Sequence, residues 1–97
     1  MSTLVLVDVQ VKPEAVGEFN SYMEEIFPDT RSFQGCLGIA LQANQDDPNN
    51  FLLVEDWNTR EDHQKYSAWR TDTGVMARIG SMLAAPPTLR YFEKAAA

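Results

Sequence analysis

From Thr3 to Val11 the chain alternates. Val5, Val7, Val9 and Val11 fall on one side, and Leu4, Leu6, Asp8 and Gln10 on the other. Period two with β-branched residues predicts a strand over 3–11. One of its faces is wholly apolar and the other turns polar only toward its end, so both faces are expected to meet packed neighbours. The period then lengthens. Val16, Phe19, Met23, Ile26 and Phe27 recur at helical spacing, which predicts an amphipathic helix over 13–27. Pro13 suits its first position, and Glu14 and Glu18 its positive end. Pro28 is expected to break or kink this helix, with Asp29-Thr30 capping a short turn before Gly35.

Residues 36–43 predict a second strand, with Leu37, Ile39 and Leu41 on one face and the small Cys36, Gly38 and Ala40 on the other. The polar run 44–50 is a turn, and 51–57 is a third strand that forms a hairpin with the second. Thr59 is the expected N-cap of a helix over 60–70, with Asp62 three residues on. Residues 71–73 interrupt it. Val75, Met76, Ile79, Met82 and Leu83 then form another apolar helical stripe, ended by Pro86-Pro87. A short strand over 89–92 and a frayed tail over 95–97 complete the chain.

The order β-α-β-β-α(α)-β predicts an α+β fold, a ferredoxin-like antiparallel sheet with helices on one face, in a single domain over 1–97. Helices cover only one face of such a sheet, yet both faces carry apolar side chains. A bare apolar sheet face exceeds what a soluble monomer exposes. The expected solution is a homodimer through the sheet faces.

Composition narrows the function classes. The 97 residues carry 14 acidic and 8 basic side chains, a net charge of −6. Such a chain has no electrostatic reason to seek nucleic acid or an anionic membrane surface. No apolar run approaches the roughly 20 residues of a membrane span. The opening Met1–Asp8 lacks the basic flank and cleavage site of a secretory signal. Cys36, the single cysteine, has no intrachain partner, so a cytoplasmic setting is expected. With one Cys and one His far apart in sequence, no protein-built metal site is expected.

The densest chemistry runs from Glu55 to Arg70. On a helix His63, Tyr66 and Arg70 stand at i, i+3 and i+7 and share a face, with Trp69 at its border and Trp57 ending the preceding strand. An ionisable base, a phenol, a fixed cation and two flat walls suit a planar, weakly acidic organic ligand. Tyr22 is a further candidate at the mouth of such a pocket. Against this stands the plainer reading of Tyr66 and Trp69 as core and Arg70 as a solvated charge. Cys36 reads as an inert thiol, and Asp46-Asp47 as part of an exposed turn.

The opening strand followed by Lys12-Pro13, the helix with Phe19, Gly35-Cys36-Leu37, the hairpin Asp47-Pro48-Asn49-Asn50-Phe51 leading to Glu55-Asp56-Trp57, and the helix with His63 together resemble the antibiotic biosynthesis monooxygenase domain family. The resemblance implies a dimeric α/β barrel of ferredoxin-like protomers, each with a site between sheet and helices. It also implies oxidation of phenols or hydroquinones by O2 with no metal, flavin or haem. In that setting Trp57 and Trp69 would wall the site, His63 or Tyr66 would transfer a proton, and Arg70 would sit near the developing charge. The related haem-degrading branch carries an Asn on the first strand, where this chain has Asp8 and Gln10, and Tyr66 falls near its haem-ligating position. Haem is therefore not expected.

The resulting expectation is a cofactor-independent monooxygenase acting on a small aromatic, phenolic or quinol-like compound. Its catalytic residues are His63, Tyr66 and Arg70, and Trp57, Trp69 and Tyr22 contact substrate. The alternatives are an isomerase or lyase acting on a small organic acid, and a ligand-binding dimer without chemistry.

Overall fold

The computed structural model describes residues 2–97. Four antiparallel strands form one sheet: β1 (Thr3–Gln10), β2 (Cys36–Ala43), β3 (Asn50–Trp57) and β4 (Thr88–Phe92), in the order β2-β3-β1-β4. Three helices accompany them: α1 (Val16–Ser32), α2 (Arg60–Asp72) and α3 (Val75–Met82). This is the ferredoxin-like α+β arrangement expected from the alternation. Among the described residues no helix is long and apolar enough to cross a membrane.

The two faces of β1 separate as its side chains predict. Val5, Val9 and Val11 are buried beneath the helices. On the other face Leu4 pairs across to Asp56 and Phe92, and Leu6 to Val54 and Arg90. Leu4 and Phe92 are exposed there, while Leu6, Leu52 and Val54 are half-buried. Leu37 stands out of the ladder at an irregularity between Cys36 and Gly38, and is 56% exposed.

The first helix corrects two expectations. Pro13–Ala15 forms a separate 3-10 turn, and α1 runs through Pro28 to Ser32 instead of breaking there. An interior proline costs a helix about 3 kcal/mol. Burial of a large apolar side chain returns roughly 1.5–3 kcal/mol. Ile26, Phe27 and Thr30 flank Pro28 and are all buried, so packing outweighs the missing hydrogen bond. The extension decides the site, because it sets Thr30 and then Phe33 against α2.

Two glycines shape the connections. Gly35 has φ +90°, and a Cβ there would collide with the Asp62 side chain. Its carbonyl accepts from the Asn58 N–H at 2.8 Å, tying the entry to β2 against the end of β3. Thr59 caps α2 as expected, its hydroxyl accepting from the Asp62 N–H at 3.1 Å. Gly74, with φ +83°, turns the chain between α2 and α3.

Candidate active site

Between the sheet and the helices lies a cavity of about 230 Å³. Apolar side chains of α1, α3 and all four strands form most of its wall, among them Val7, Val9, Phe19, Met23, Leu53 and Ile79. Its polar groups are Glu55 from β3 and His63, Tyr66, Ser67 and Arg70 from α2. Leu89, on the edge strand and 41% exposed, stands at its rim. An apolar cavity of roughly 150 Å³ holds benzene, so this one has room for one or two fused rings.

Arg70 is held by a closed set of contacts. Its Nε donates to the Tyr66 hydroxyl at 3.0 Å, and its Nη2 donates to the Ile26 carbonyl at 2.8 Å and to Thr30 Oγ1 at 3.0 Å. Thr30 donates to the Ile26 carbonyl at 3.3 Å, which leaves the Tyr66 hydroxyl to donate to Thr30 across 2.7 Å. The guanidinium lies 4.4 Å over the Trp69 ring. Arg70 is 4% exposed, yet among the described residues no carboxylate stands within 4.0 Å of it and Nη1 has no hydrogen-bond partner. An arginine does not shed its proton to escape burial. The cavity therefore has a fixed, uncompensated positive charge on its wall.

At the other end Glu55 is 3% exposed. Its Oε1 accepts from the Trp57 indole N–H at 3.0 Å and lies 3.7 Å from His63 Nε2. Among the described residues its Oε2 has no hydrogen-bond partner. Burial pushes the Glu55 carboxyl up to about 7, against the opposing pull of the indole N–H. His63 is 2% exposed, and burial pushes it down to about 4, so its ring is neutral near pH 7. Its Nδ1 lies 2.7 Å from the Tyr91 hydroxyl. A neutral ring accepting from Tyr91 at Nδ1 carries its proton on Nε2, facing Glu55. Desolvation likewise raises Tyr66 and Tyr91 above the ordinary phenol range, so both remain hydroxyls.

The fold brings His63, Tyr66 and Arg70 onto the cavity wall together. It does not bring Trp57, Trp69 or Tyr22 there. Phe33, delivered by the extended α1, packs between the two indoles, with centroids 6.2 Å from Trp57 and 5.4 Å from Trp69. Trp57 is enclosed behind Tyr66 and His63, at 5.0 and 5.5 Å, and supports the wall from outside. Tyr22 is buried in the seam between α1 and α3 under the Arg78 guanidinium, 4.0 Å from its ring.

Glu55 and Thr30 are site residues outside the set expected from the sequence. Glu55 had a signal. Phe51, Leu53, Glu55 and Trp57 share one parity of β3, so a lone carboxylate stands in an otherwise apolar, inward face. Thr30 had none, because its partners Tyr66 and Arg70 lie 36 and 40 residues away.

The profile of the antibiotic biosynthesis monooxygenase family matches residues 3–71. The chain belongs to this family. Among solved structures, it is similar to a conserved protein from Methanosarcina mazei Go1, with a TM-score of 0.89 at 18% identity over 97% of this chain and 93% of that one. An antibiotic biosynthesis monooxygenase matches with a TM-score of 0.86 at 23% identity, over 97% and 99% of the two chains. Rv0793 from Mycobacterium tuberculosis matches with a TM-score of 0.86 at 16% identity, over 100% and 98%. At these identities the likeness is one of fold. No curated protein matches the chain. Among the described residues no three His, Cys, Asp or Glu side chains group to hold a metal ion.

Proposed function

We propose that the protein is a monooxygenase that oxidises a small phenolic or quinol-like compound with O2 and no cofactor. The carrying observation is the buried Arg70, uncompensated by any carboxylate, on the wall of an apolar cavity sized for one or two rings. Membership of the family supports the same reading. A phenol with a free ring position beside or opposite its hydroxyl can supply all the electrons O2 needs. One oxygen atom becomes the second quinone carbonyl, and the other leaves as water with the hydroxyl proton and the displaced ring proton. The protein's part is to favour the electron-rich anion. Arg70 stabilises the negative oxygen, and the apolar wall keeps that charge undiluted by water. Tyr66 and Thr30 hold the guanidinium in place, and His63 contributes a neutral imidazole.

Oxygen uptake over a panel of phenols and hydroquinones tests this. The wild type is expected to consume O2 as product forms. Arg70→Met is expected to lower turnover by about 10²–10³-fold, the usual cost of one oxyanion donor. Unchanged turnover in that variant removes the role of Arg70, and no uptake with any member removes the oxygenase reading.

A second reading has its own support. A buried carboxyl near 7 in the same cavity as a fixed cation also suits proton transfer next to the carbonyl of a small acid. Equal turnover under nitrogen would favour that isomerase. In either case the apolar outer face formed by Leu4, Leu6, Leu52, Val54 and Phe92 supports a homodimer through the sheets. Light scattering checks it, with twice the chain mass expected. Cys36, without a disulfide partner, fits a reducing cytoplasm.

A further inference from the structure

The cavity has two ionisable poles, and the oxygenase reading uses only one. Glu55 marks the other. His63, which packs beside Glu55, and Arg70 stand seven residues apart on α2. At 1.5 Å per residue that is about 10 Å along the helix axis, with Tyr66 between them. Both poles line one apolar chamber. A compound seated in it therefore meets a carboxyl at one end and a guanidinium at the other.

The Glu55 pole is built to exchange a proton. The Trp57 indole N–H and the His63 ring both address Oε1. That leaves Oε2, without a partner among the described residues, for the chamber. The titratable groups around Glu55 are His63 and Tyr66 from α2, Cys36 from β2 and Tyr91 from β4, with Arg70 farther along the chamber wall. Among the described residues, none forms a close ion pair that would fix its carboxylate charge. His63 stays neutral at physiological pH, so it is the weaker proton acceptor of the two.

We propose that Glu55 is the general base of this site, and that its substrate is a ring carrying an acidic hydroxyl at the Glu55 end conjugated to a second oxygen at the Arg70 end. This rests on reading the chamber as the site of an aromatic hydroxy compound. In the step the hydroxyl O–H bond breaks, and its proton forms a bond to Glu55 Oε2. The electron pair stays on the ring system and spreads through it to the distant oxygen, where the Arg70 guanidinium holds it. The protonated Glu55 returns the same proton when the oxygen atom bound for water needs it, so the group ends as it began. A compound with one oxygen function fills one pole and leaves the other empty. The two poles thus select opposed oxygens across a ring, not phenols in general.

The test needs no turnover. 4-Hydroxyacetophenone has a hydroxyl and a carbonyl conjugated across one ring, and its anion absorbs at longer wavelength than the neutral form. Under nitrogen at pH 7 the wild type is expected to bind it and develop the anion band. Glu55→Gln is expected to bind it with the band reduced at least tenfold, and to bind 4-methoxyacetophenone, which has no acidic proton, as the wild type does. Trp57→Phe removes the N–H on Oε1 and is expected to move the pH midpoint of the band upward, a change that loss of packing alone does not produce. An undiminished band in Glu55→Gln overturns the proposal. Failure of the wild type to bind the probe overturns it together with the reading beneath it. A band that depends on Glu55 in a protein that consumes no oxygen supports the proposal and sinks the oxygenase reading alone.

Discussion

Arg70 and Glu55 are buried in the wall of one cavity, and the fold handles their charges in opposite ways. Arg70 is clamped by Tyr66, Thr30 and the Ile26 carbonyl, a set that fixes where the charge sits without neutralising it. Glu55 is held at one oxygen only, and burial tunes whether the charge exists at all. A guanidinium survives desolvation as a cation, whereas a carboxyl answers it by keeping its proton. The same apolar surroundings thus yield a permanent charge at one pole and a proton switch at the other.

Removing the support of one pole is expected to have the largest effect. Trp57 is fully buried and braces Glu55 from outside the cavity. Trp57→Ala is expected to lower stability by about 3–5 kcal/mol in urea unfolding. A loss under 1 kcal/mol would mean the wall does not depend on it.

Stability against pH separates the two halves of the Glu55 pole. The ordinary values for Glu55 and His63 are 4.5 and 6.5, and in the fold they move to about 7 and about 4. Between roughly pH 4.5 and 6.5 the folded pair holds its one proton on Glu55, and the unfolded pair holds its one proton on His63. The pair then adds no slope to stability. In Glu55→Gln only the depressed histidine remains, whose stabilisation is full above 6.5 and fades as pH falls toward 4, so stability is expected to rise with pH. In His63→Gln only the raised carboxyl remains, whose stabilisation is full below 4.5 and fades as pH rises toward 7, so stability is expected to fall with pH. Each tilt amounts to about 3 kcal/mol across its window relative to wild type. Tilts of the same sign in the two variants would contradict the assignment.

The smallest effect belongs to the clamp on Arg70. Tyr66→Phe removes the acceptor for Arg70 Nε and a donor to Thr30 while leaving the ring. The expected loss is about 1–3 kcal/mol, the cost of leaving buried polar partners unmet. Thermal unfolding reads it, and an unchanged midpoint would show the clamp to be idle.

The strand alternation from Thr3 to Gln10 and the i, i+3, i+7 spacing of His63, Tyr66 and Arg70 were legible because they are local periodicities that tertiary structure kept. Pro28 misled because proline is a local signal, and the burial of Ile26, Phe27 and Thr30 that overrules it is not. The length of α1 also decides the surroundings of the two indoles. Once α1 continues to Ser32, Phe33 falls between Trp57 and Trp69, and the indoles become a buttress instead of cavity walls. Glu55 was visible as the odd residue of an apolar strand face, but only its surroundings make it a proton switch. The contacts of Thr30 with Tyr66 and Arg70, and of His63 with Tyr91, join residues far apart in the chain that no spacing rule connects.

Diffraction from crystals soaked under nitrogen with 4-hydroxyacetophenone bears most directly on the claim that the cavity holds an aromatic anion against Arg70. The ring is expected within the cavity, with one of its oxygens about 2.7–3.2 Å from Arg70 Nη1. A ring bound elsewhere, or one in the cavity while Nη1 still faces no ligand oxygen, would contradict it.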